Sequence, residues 1–394
     1  MAELIAIDCV PGPTFVAELE RAWEAGDAVL PLQREAPLAM RRRAAEAMGA
    51  SRVVTETGSE SLHNGRVIDR EVALVVLTSG STGEPKGAML DHSAVEYSAF
   101  AGATALSVAG DTHWLACLPL SHVGGLSVLT RAIHTGAALT VAPRFSPEAL
   151  DDALSRGATH ISLVPTTLRR IDPTPWRRIL LGGSRMPTPL PANCVASYGM
   201  TETMGGVVYD GIALNGVGMR IAGIPTGQSG VAGPVELRTP TLMRGYRAPW
   251  SPETGLSDPP ADGIDAQGWF ATGDVGRIRV DDGRLEVFGR ADDLIVTGAE
   301  NVWPAPVEQR ILEHHAVAEV AVFGTPDPEW GEVVTAVIVT ADGVAPPVLE
   351  DLRDWVAEVL PRAAAPKRLH HTAGLPRTAL GKVRRAELPG LVDP

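Results

Sequence analysis

The chain has 394 residues, of which 45% are hydrophobic and 21% charged, with a formal net charge of −13 and a pI near 5.3. That length exceeds what one hydrophobic core serves comfortably, so two or more domains are expected. The acidic balance excludes broad nucleic-acid binding, and any anionic ligand must meet a locally positive or N–H-rich pocket. No window approaches the apolar length of a membrane span. Glu3 and Asp8 stand where a secretory leader needs basic and then apolar residues. Three cysteines, Cys9, Cys117 and Cys194, are odd in number, share no metal-ligand spacing and suit small apolar roles. A soluble protein of the reducing cytoplasm is expected.

In chain order, Phe15, Val16, Leu19 and Trp23 have the spacing of one buried helix face. Arg41 to Arg43 read as a solvated helix face. An apolar run, Val72 to Leu77, is a buried strand, and a helix is expected to start between Asp91 and Ser93. Beyond it, apolar runs alternate with helical patterns: strand Leu139 to Val141, helix Pro147 to Leu154, strands His160 to Val164 and Ile179 to Leu181. Such alternation predicts parallel βαβ units with helices on both faces. Val235 to Leu237, Val275 to Val280 and Leu285 to Phe288, with a turn at Asp281-Asp282-Gly283, predict a small antiparallel or barrel-like piece. Beyond Arg290 come a helix, Val307 to Leu312, and strands Val317 to Phe323 and Val333 to Val339. A helical core stripe follows, through Val348, Leu349, Leu352, Trp355, Val356, Val359 and Leu360. The expected fold is a large α/β domain, 1–290, followed by a small α+β domain, 291–394.

Between the first strand and helix lies Thr78-Ser79-Gly80-Ser81-Thr82-Gly83-Glu84-Pro85-Lys86-Gly87. Glycines admit an anion close to backbone N–H groups, and hydroxyls and an ammonium add donors, so the stretch suits polyphosphate. It is not a Walker A loop, which needs Gly directly before Lys and Ser or Thr after it. By composition alone an ordinary Gly/Ser/Thr linker explains it equally well. Further clusters follow in order: Leu118-Pro119-Leu120-Ser121-His122-Val123-Gly124-Gly125-Leu126, Leu181-Gly182-Gly183, and Ser197-Tyr198-Gly199-Met200-Thr201-Glu202-Thr203. Then come Gly268-Trp269-Phe270-Ala271-Thr272-Gly273-Asp274, Gly289-Arg290-Ala291-Asp292-Asp293 and Pro376-Arg377-Thr378-Ala379-Leu380-Gly381-Lys382.

In this order the clusters resemble the adenylate-forming superfamily of acyl-CoA synthetases, luciferases and peptide-synthetase adenylation domains, over roughly residues 70 to 390. The resemblance implies an ATP-dependent ligase that uses Mg²⁺ and coenzyme A. A carboxylate oxygen attacks the α-phosphorus of ATP, pyrophosphate leaves, and a thiol then takes the acyl group. By resemblance Thr78 to Gly87 cradles phosphates, with Lys86 adding a cation and Gly182 and Gly183 completing the nucleotide site. Tyr198 and Gly199 face adenine, Thr201 and Glu202 meet phosphate and Mg²⁺, Asp274 accepts from the ribose, and Arg290 stands nearby. Lys382 bridges the substrate carboxylate and the α-phosphate, a task suited to a flexible point charge. Asp292 resembles the hinge about which the small domain rotates, bringing Gly298, Ala299 and Glu300 to the CoA tunnel. His122 reads either as a structural histidine or, by resemblance, as the acyl-pocket and thiol-entrance residue, with Gly124 beside it. The adjacent pairs His314-His315 and His370-His371 are expected at the surface.

The chain departs from the usual pattern in three places: a short segment before the phosphate loop, Leu77 for an aromatic residue, and Ala299 for Gly. Within the superfamily it resembles the short o-succinylbenzoate–CoA ligases, in His122 to Arg131 and in Tyr198 to Gly211. That implies an aromatic dicarboxylic acid, with Arg131 either on its second carboxylate or on a helix surface. The resemblance leaves open another aryl or medium-chain acid, a carrier-protein or amine acceptor, and a homodimer. A non-catalytic sensor would be expected to lose Lys382, Glu202 or Asp274, and all three are present. A serine hydrolase is disfavoured because Ser81 lacks the Gly-x-Ser-x-Gly setting.

Overall fold

The computed structural model describes residues 2–79, 85–183, 186, 189–224, 230–249, 263–298, 300–377 and 383–392. By its internal contacts the chain forms two compact units, Met1–Met219 with Leu237–Phe270, and Arg220–Glu236 with Ala271–Pro394. The second unit therefore starts before the sequence boundary at 290/291 and takes in most of the small antiparallel sheet.

The first unit is built on two sheets of seven strands among the described residues. One runs in the order Gly245–Arg247, Pro85–Asp91, Val72–Ser79, Ala28–Pro31, Leu4–Ile7, Arg52–Thr55 and Gly58–Ser61. It is mixed: its centre is parallel, whereas Val72–Ser79, Pro85–Asp91 and Gly245–Arg247 form antiparallel neighbours. The other sheet is parallel from Ala138–Val141 through His113–Ala116, His160–Leu163 and Arg178–Leu181 to Cys194–Met200, with an antiparallel edge at Gly205–Tyr209 and Ile212–Ala213. Helices His92–Ala105 and Val123–Thr135 pack on each other; the first also packs on Val72–Ser79 and the second on His113–Ala116. Val95, Leu126 and Leu129 join Leu74, Val76 and Leu90 in one buried cluster. Only apolar strands tolerate that burial on both faces.

The expected helix begins at His92, but residues 85 to 91 before it form a return strand. The described flanks of the phosphate stretch, residues 78–79 and 85–87, are thus paired antiparallel strands, and a strand, not a helix, follows it directly among the described residues. Pro147–Ser155 is the expected helix, and its Ser146 cap accepts from Ala149 N at 3.2 Å. The solvated face expected at Arg41 to Arg43 holds for Arg42 and Arg43 only. Arg41 turns inward, because the buried Asp8 carboxylate needs counter-charge and takes it from both Arg34 and Arg41. All three cysteines are buried and free, and burial pushes the Cys117 thiol up to about 12.

In the second unit the antiparallel piece is an open four-stranded sheet and not a closed barrel. Strands Val317–Asp327 and Gly331–Thr340 form a long hairpin, joined in parallel by Arg368–His371. Helices Pro304–Leu312 and Leu349–Ala357 cover it, burying Val307, Ile311, Leu352 and Val356. The predicted core stripe overreaches at its ends, where Val348 and Val359 lie beyond the helix and are exposed.

Candidate active site

In the first unit the phosphate stretch is anchored on both sides by the ladder. Thr78 pairs with Lys86 and Ser79 with Pro85, and the Thr78 hydroxyl donates to Lys86 O at 3.4 Å. Gly80, Ser81, Thr82 and Gly83 lie outside the described residues. Gly87 is held by close approach, because a Cβ there would sit 2.5 Å from Val75 Cγ1. The Lys86 ammonium stands over the Tyr246 ring, 5.5 Å from its centroid, and among the described residues it forms no ion pair.

Thr201 and Glu202 form a single 3₁₀ turn at the end of strand Cys194–Met200. The turn is locked by the wholly buried Thr203, whose hydroxyl donates to Gly205 O at 2.7 Å and accepts from Met200 N at 3.0 Å. Glu202 Oε1 accepts the Tyr246 hydroxyl at 2.7 Å. Among the described residues its second oxygen accepts no hydrogen bond, which leaves a hard anionic ligand beside an unpaired cation. No group of three metal-ligating side chains occurs among the described residues. Mg²⁺ fits here nonetheless, since it is commonly held by one carboxylate plus substrate phosphates. When bound it neutralises phosphate charge; Glu202 is the residue that would hold it.

Tyr198 and Gly199 lie one turn upstream, at a bulge in the strand. Gly199 has no substitute: a Cβ would come within 1.9 Å of Gly205 O. Gly182 and Gly183 follow strand Arg178–Leu181, Gly182 N donating to Leu163 O at 3.1 Å and Gly183 turning with φ of 84°. His122 is half-buried at the N-cap of helix Val123–Thr135. Beside Gly124, Gly125 lets the helix start under Leu118 O, 2.4 Å from where its Cβ would be.

Arg131, on the same helix, is not a surface residue. It is 2% exposed, stacked over Trp114 at 5.1 Å and packed against Gly102. Its Nε and Nη1 and the Tyr209 hydroxyl are buried with no hydrogen-bond partner among the described residues. Burial raises the Tyr209 phenol, with the Arg131 charge opposing, so the hydroxyl stays protonated. Three orphaned donors around one guanidinium are costly unless something polar completes them.

The second unit carries its residues differently. Asp274 pairs with Arg290 across strands Phe270–Ile278 and Leu285–Arg290, their charged groups 3.7 Å apart. Arg290 Nη1 donates to Thr272 O at 2.7 Å, and Asp274 N to the Thr272 hydroxyl at 3.1 Å. The guanidinium lies over Gly273, whose φ is 74° and whose Cβ would be 2.6 Å from Nη2. Asp292 sits in the 3₁₀ turn Ala291–Asp293, whose Asp293 meets Arg385 at 3.4 Å. Gly298 turns with φ of 58° beside Trp330, and Glu300 is exposed in strand Glu300–Val302. Ala299 and Lys382 lie outside the described residues. The flanks of 378–382 are joined: Arg377 and Val383 form an antiparallel bridge, Arg384 N donates to Pro376 O at 2.9 Å, and Arg377 meets Glu319 at 2.7 Å.

Sequence reasoning missed Tyr246. Its neighbours Arg244, Gly245 and Arg247 give no chemical hint, and only the pairing of Tyr246 with Ala88 carries it to the hairpin.

A nucleotide-dependent enzyme is the class this hairpin, carboxylate and fold define. The model of the AMP-binding enzyme family matches residues 45–247, and that of the AMP-binding enzyme C-terminal domain matches 306–382. The chain belongs to the AMP-binding enzyme family. It is 41% identical over 350 residues to a "probable 2-succinylbenzoate–CoA ligase" of Mycobacterium tuberculosis, covering 83% of this chain and 86% of the relative. The structure of o-succinylbenzoate CoA synthetase from Bacillus subtilis with its acyl-adenylate intermediate superposes with a TM-score of 0.83 at 27% identity, covering 98% of this chain and 88% of the other. The same synthetase with ATP and magnesium ion superposes at 0.82, also at 27% identity, covering 98% and 89%. The fold expected from sequence, a large α/β N-terminal part followed by a small C-terminal domain, is the fold of this family.

Proposed function

We propose that this chain is the ATP-dependent, AMP-forming 2-succinylbenzoate–CoA ligase of menaquinone biosynthesis, a cytoplasmic enzyme. One carboxylate oxygen of the acid attacks the α-phosphorus of ATP; the bond to the bridging oxygen breaks and pyrophosphate leaves. The CoA thiol, giving up its proton, then attacks the acyl carbonyl and AMP departs. Lys86 and Glu202 serve the departing phosphates, the latter through Mg²⁺. Lys382 draws the two reacting anions together, an arrangement of charge aimed at the transition state. Asp274 takes the ribose hydroxyls. Asp292 is the hinge, and Gly298, Ala299 and Glu300 belong to the thiol-transfer arrangement.

One observation carries the choice of acid: Arg131, on the buried face of the helix that His122 caps, has two guanidinium nitrogens without hydrogen-bond partners among the described residues. A guanidinium in that state matches a second carboxylate, which accepts two parallel hydrogen bonds. A monocarboxylic acid leaves it orphaned. The test is pyrophosphate release over a panel of acids, with and without CoA. Release with 2-succinylbenzoate, and none with benzoate, 4-phenylbutyrate or octanoate, is expected; equal release with the monocarboxylates sinks the assignment.

A further inference from the structure

We infer that Tyr246 is a positioning residue that sets the two charges of the phosphate site at once, Lys86 through its ring and Glu202 through its hydroxyl. The inference rests on the nucleotide reading above. Glu202 is held at both ends by a single segment: Met243 N donates to its carbonyl at 2.8 Å, and the Tyr246 hydroxyl to its Oε1 at 2.7 Å. A carboxylate so held has one oxygen committed and the other without a hydrogen bond among the described residues, the arrangement that a hard cation with few protein ligands requires. Lys86 meets the face of the same ring at 5.5 Å. A ring face attracts the ammonium without using its N–H groups, so all three remain for phosphate oxygens.

The segment is fixed on both sides of Tyr246. Arg247 is 1% exposed and donates to Met48 O at 2.7 Å and Arg66 O at 3.1 Å. Arg244 gathers Asp69, Glu71 and Asp91, meeting Asp91 at 3.0 Å. Between these anchors the ladder Gly245↔Met89, Tyr246↔Ala88 and Arg247↔Gly87 fixes Tyr246 against the hairpin. Its ring also packs on the large core cluster, so Tyr246→Phe keeps that packing and the ring face under Lys86 and removes the hydroxyl that meets Glu202.

The test uses the full-length enzyme and ATP without acid. Mn²⁺ binding to the enzyme–ATP complex is followed by electron paramagnetic resonance, and metal-free ATP binding by calorimetry. Supporting groups behind a metal ligand typically carry ten- to hundredfold in metal affinity, so Tyr246→Phe should weaken Mn²⁺ about tenfold and move metal-free ATP binding less than about twofold. Tyr246→Leu should weaken both. On a Glu202→Gln background Tyr246→Phe should add no further loss of Mn²⁺, because its partner's charge is already gone. An unchanged Mn²⁺ affinity in Tyr246→Phe, or a loss that persists in full with Glu202→Gln, overturns the inference while ATP binding by the parent enzyme leaves the functional reading standing. A parent enzyme that binds no ATP overturns both.

Discussion

The candidate site residues of the two units handle charge in opposite ways, although the first unit also pairs cations elsewhere, as Arg244 does with Asp69, Glu71 and Asp91. In the first, Lys86 and Glu202 come from distant parts of the chain, meet at one tyrosine, and form no ion pair among the described residues. Arg131 is buried without a carboxylate. In the second, cations are matched at home: Arg290 with Asp274, Arg377 with Glu319, Arg384 with Glu387, Arg385 with Glu308. Charge left unmatched inside a folded protein is destabilising unless a ligand completes it, so the first unit is prepared to receive anions. The second unit uses its paired charges to hold strands and turns in place. Lys382 belongs by sequence to the second unit and by proposed task to the first kind.

The sharpest way to break that contrast is Lys382→Ala. Loss of a group aimed at the transition state should lower adenylate formation by about 10³-fold, with thioester formation from supplied acyl-adenylate largely spared. Equal loss in both half-reactions, followed separately by pyrophosphate release and CoA consumption, would contradict its role. Arg131→Ala comes next. Truncating one partner of a buried, hydrogen-bonded charge pair costs about 10²-fold or more, and this should appear in kcat/KM for 2-succinylbenzoate through KM. An unchanged KM, in protein whose melting temperature is preserved, removes Arg131 from the acyl site.

A buried histidine of the first unit makes a pH prediction. His160 is wholly buried; burial, and then the charges of Arg177, Arg178 and Arg131, lower its pKa to about 4 from an ordinary 6.5. The unfolded chain therefore binds the proton more readily, and stability rises with pH across the window from about 4 to 6.5. Stability should be intact above that window, with about 2 kcal/mol lost at pH 5. His160→Gln should flatten this part of the profile, read as urea midpoints at pH 5 and 7.5. Smallest is Lys86→Ala: about tenfold in KM for ATP with kcat less affected, since an ammonium on a phosphate mainly binds. A fall in kcat as large as that of Lys382→Ala would erase the distinction between the two lysines.

Much of the second unit was legible because its elements are local: hairpins and helices whose apolar periodicity lies in one stretch. Asp274 and Arg290 are likewise neighbours on one hairpin, each inside its own motif. The first unit was less so. Pro85, Lys86 and Gly87 hid the return strand, since none favours a sheet, and only the ladder to Val72–Ser79 makes it one. Arg131 offered no sign of burial, because a cation inside a helix pattern ordinarily faces water; a facing glycine, Gly102, makes its room. Tyr246 carried no signal at all, its partners being more than forty residues away in sequence.

The edge position of strand Gly245–Arg247 has a consequence for the order in which the molecule is made. It is the last strand of its sheet in sequence and lies outermost, against Pro85–Asp91. While the chain emerges from the ribosome, the phosphate hairpin presents an unpaired strand edge until residue 247 is available, and such edges invite association with other chains. Tyr246 arrives with the strand that covers that edge. Among the described residues of the first unit, the nucleotide site is thus completed by the same step that closes the sheet, and a chain interrupted before that point has neither.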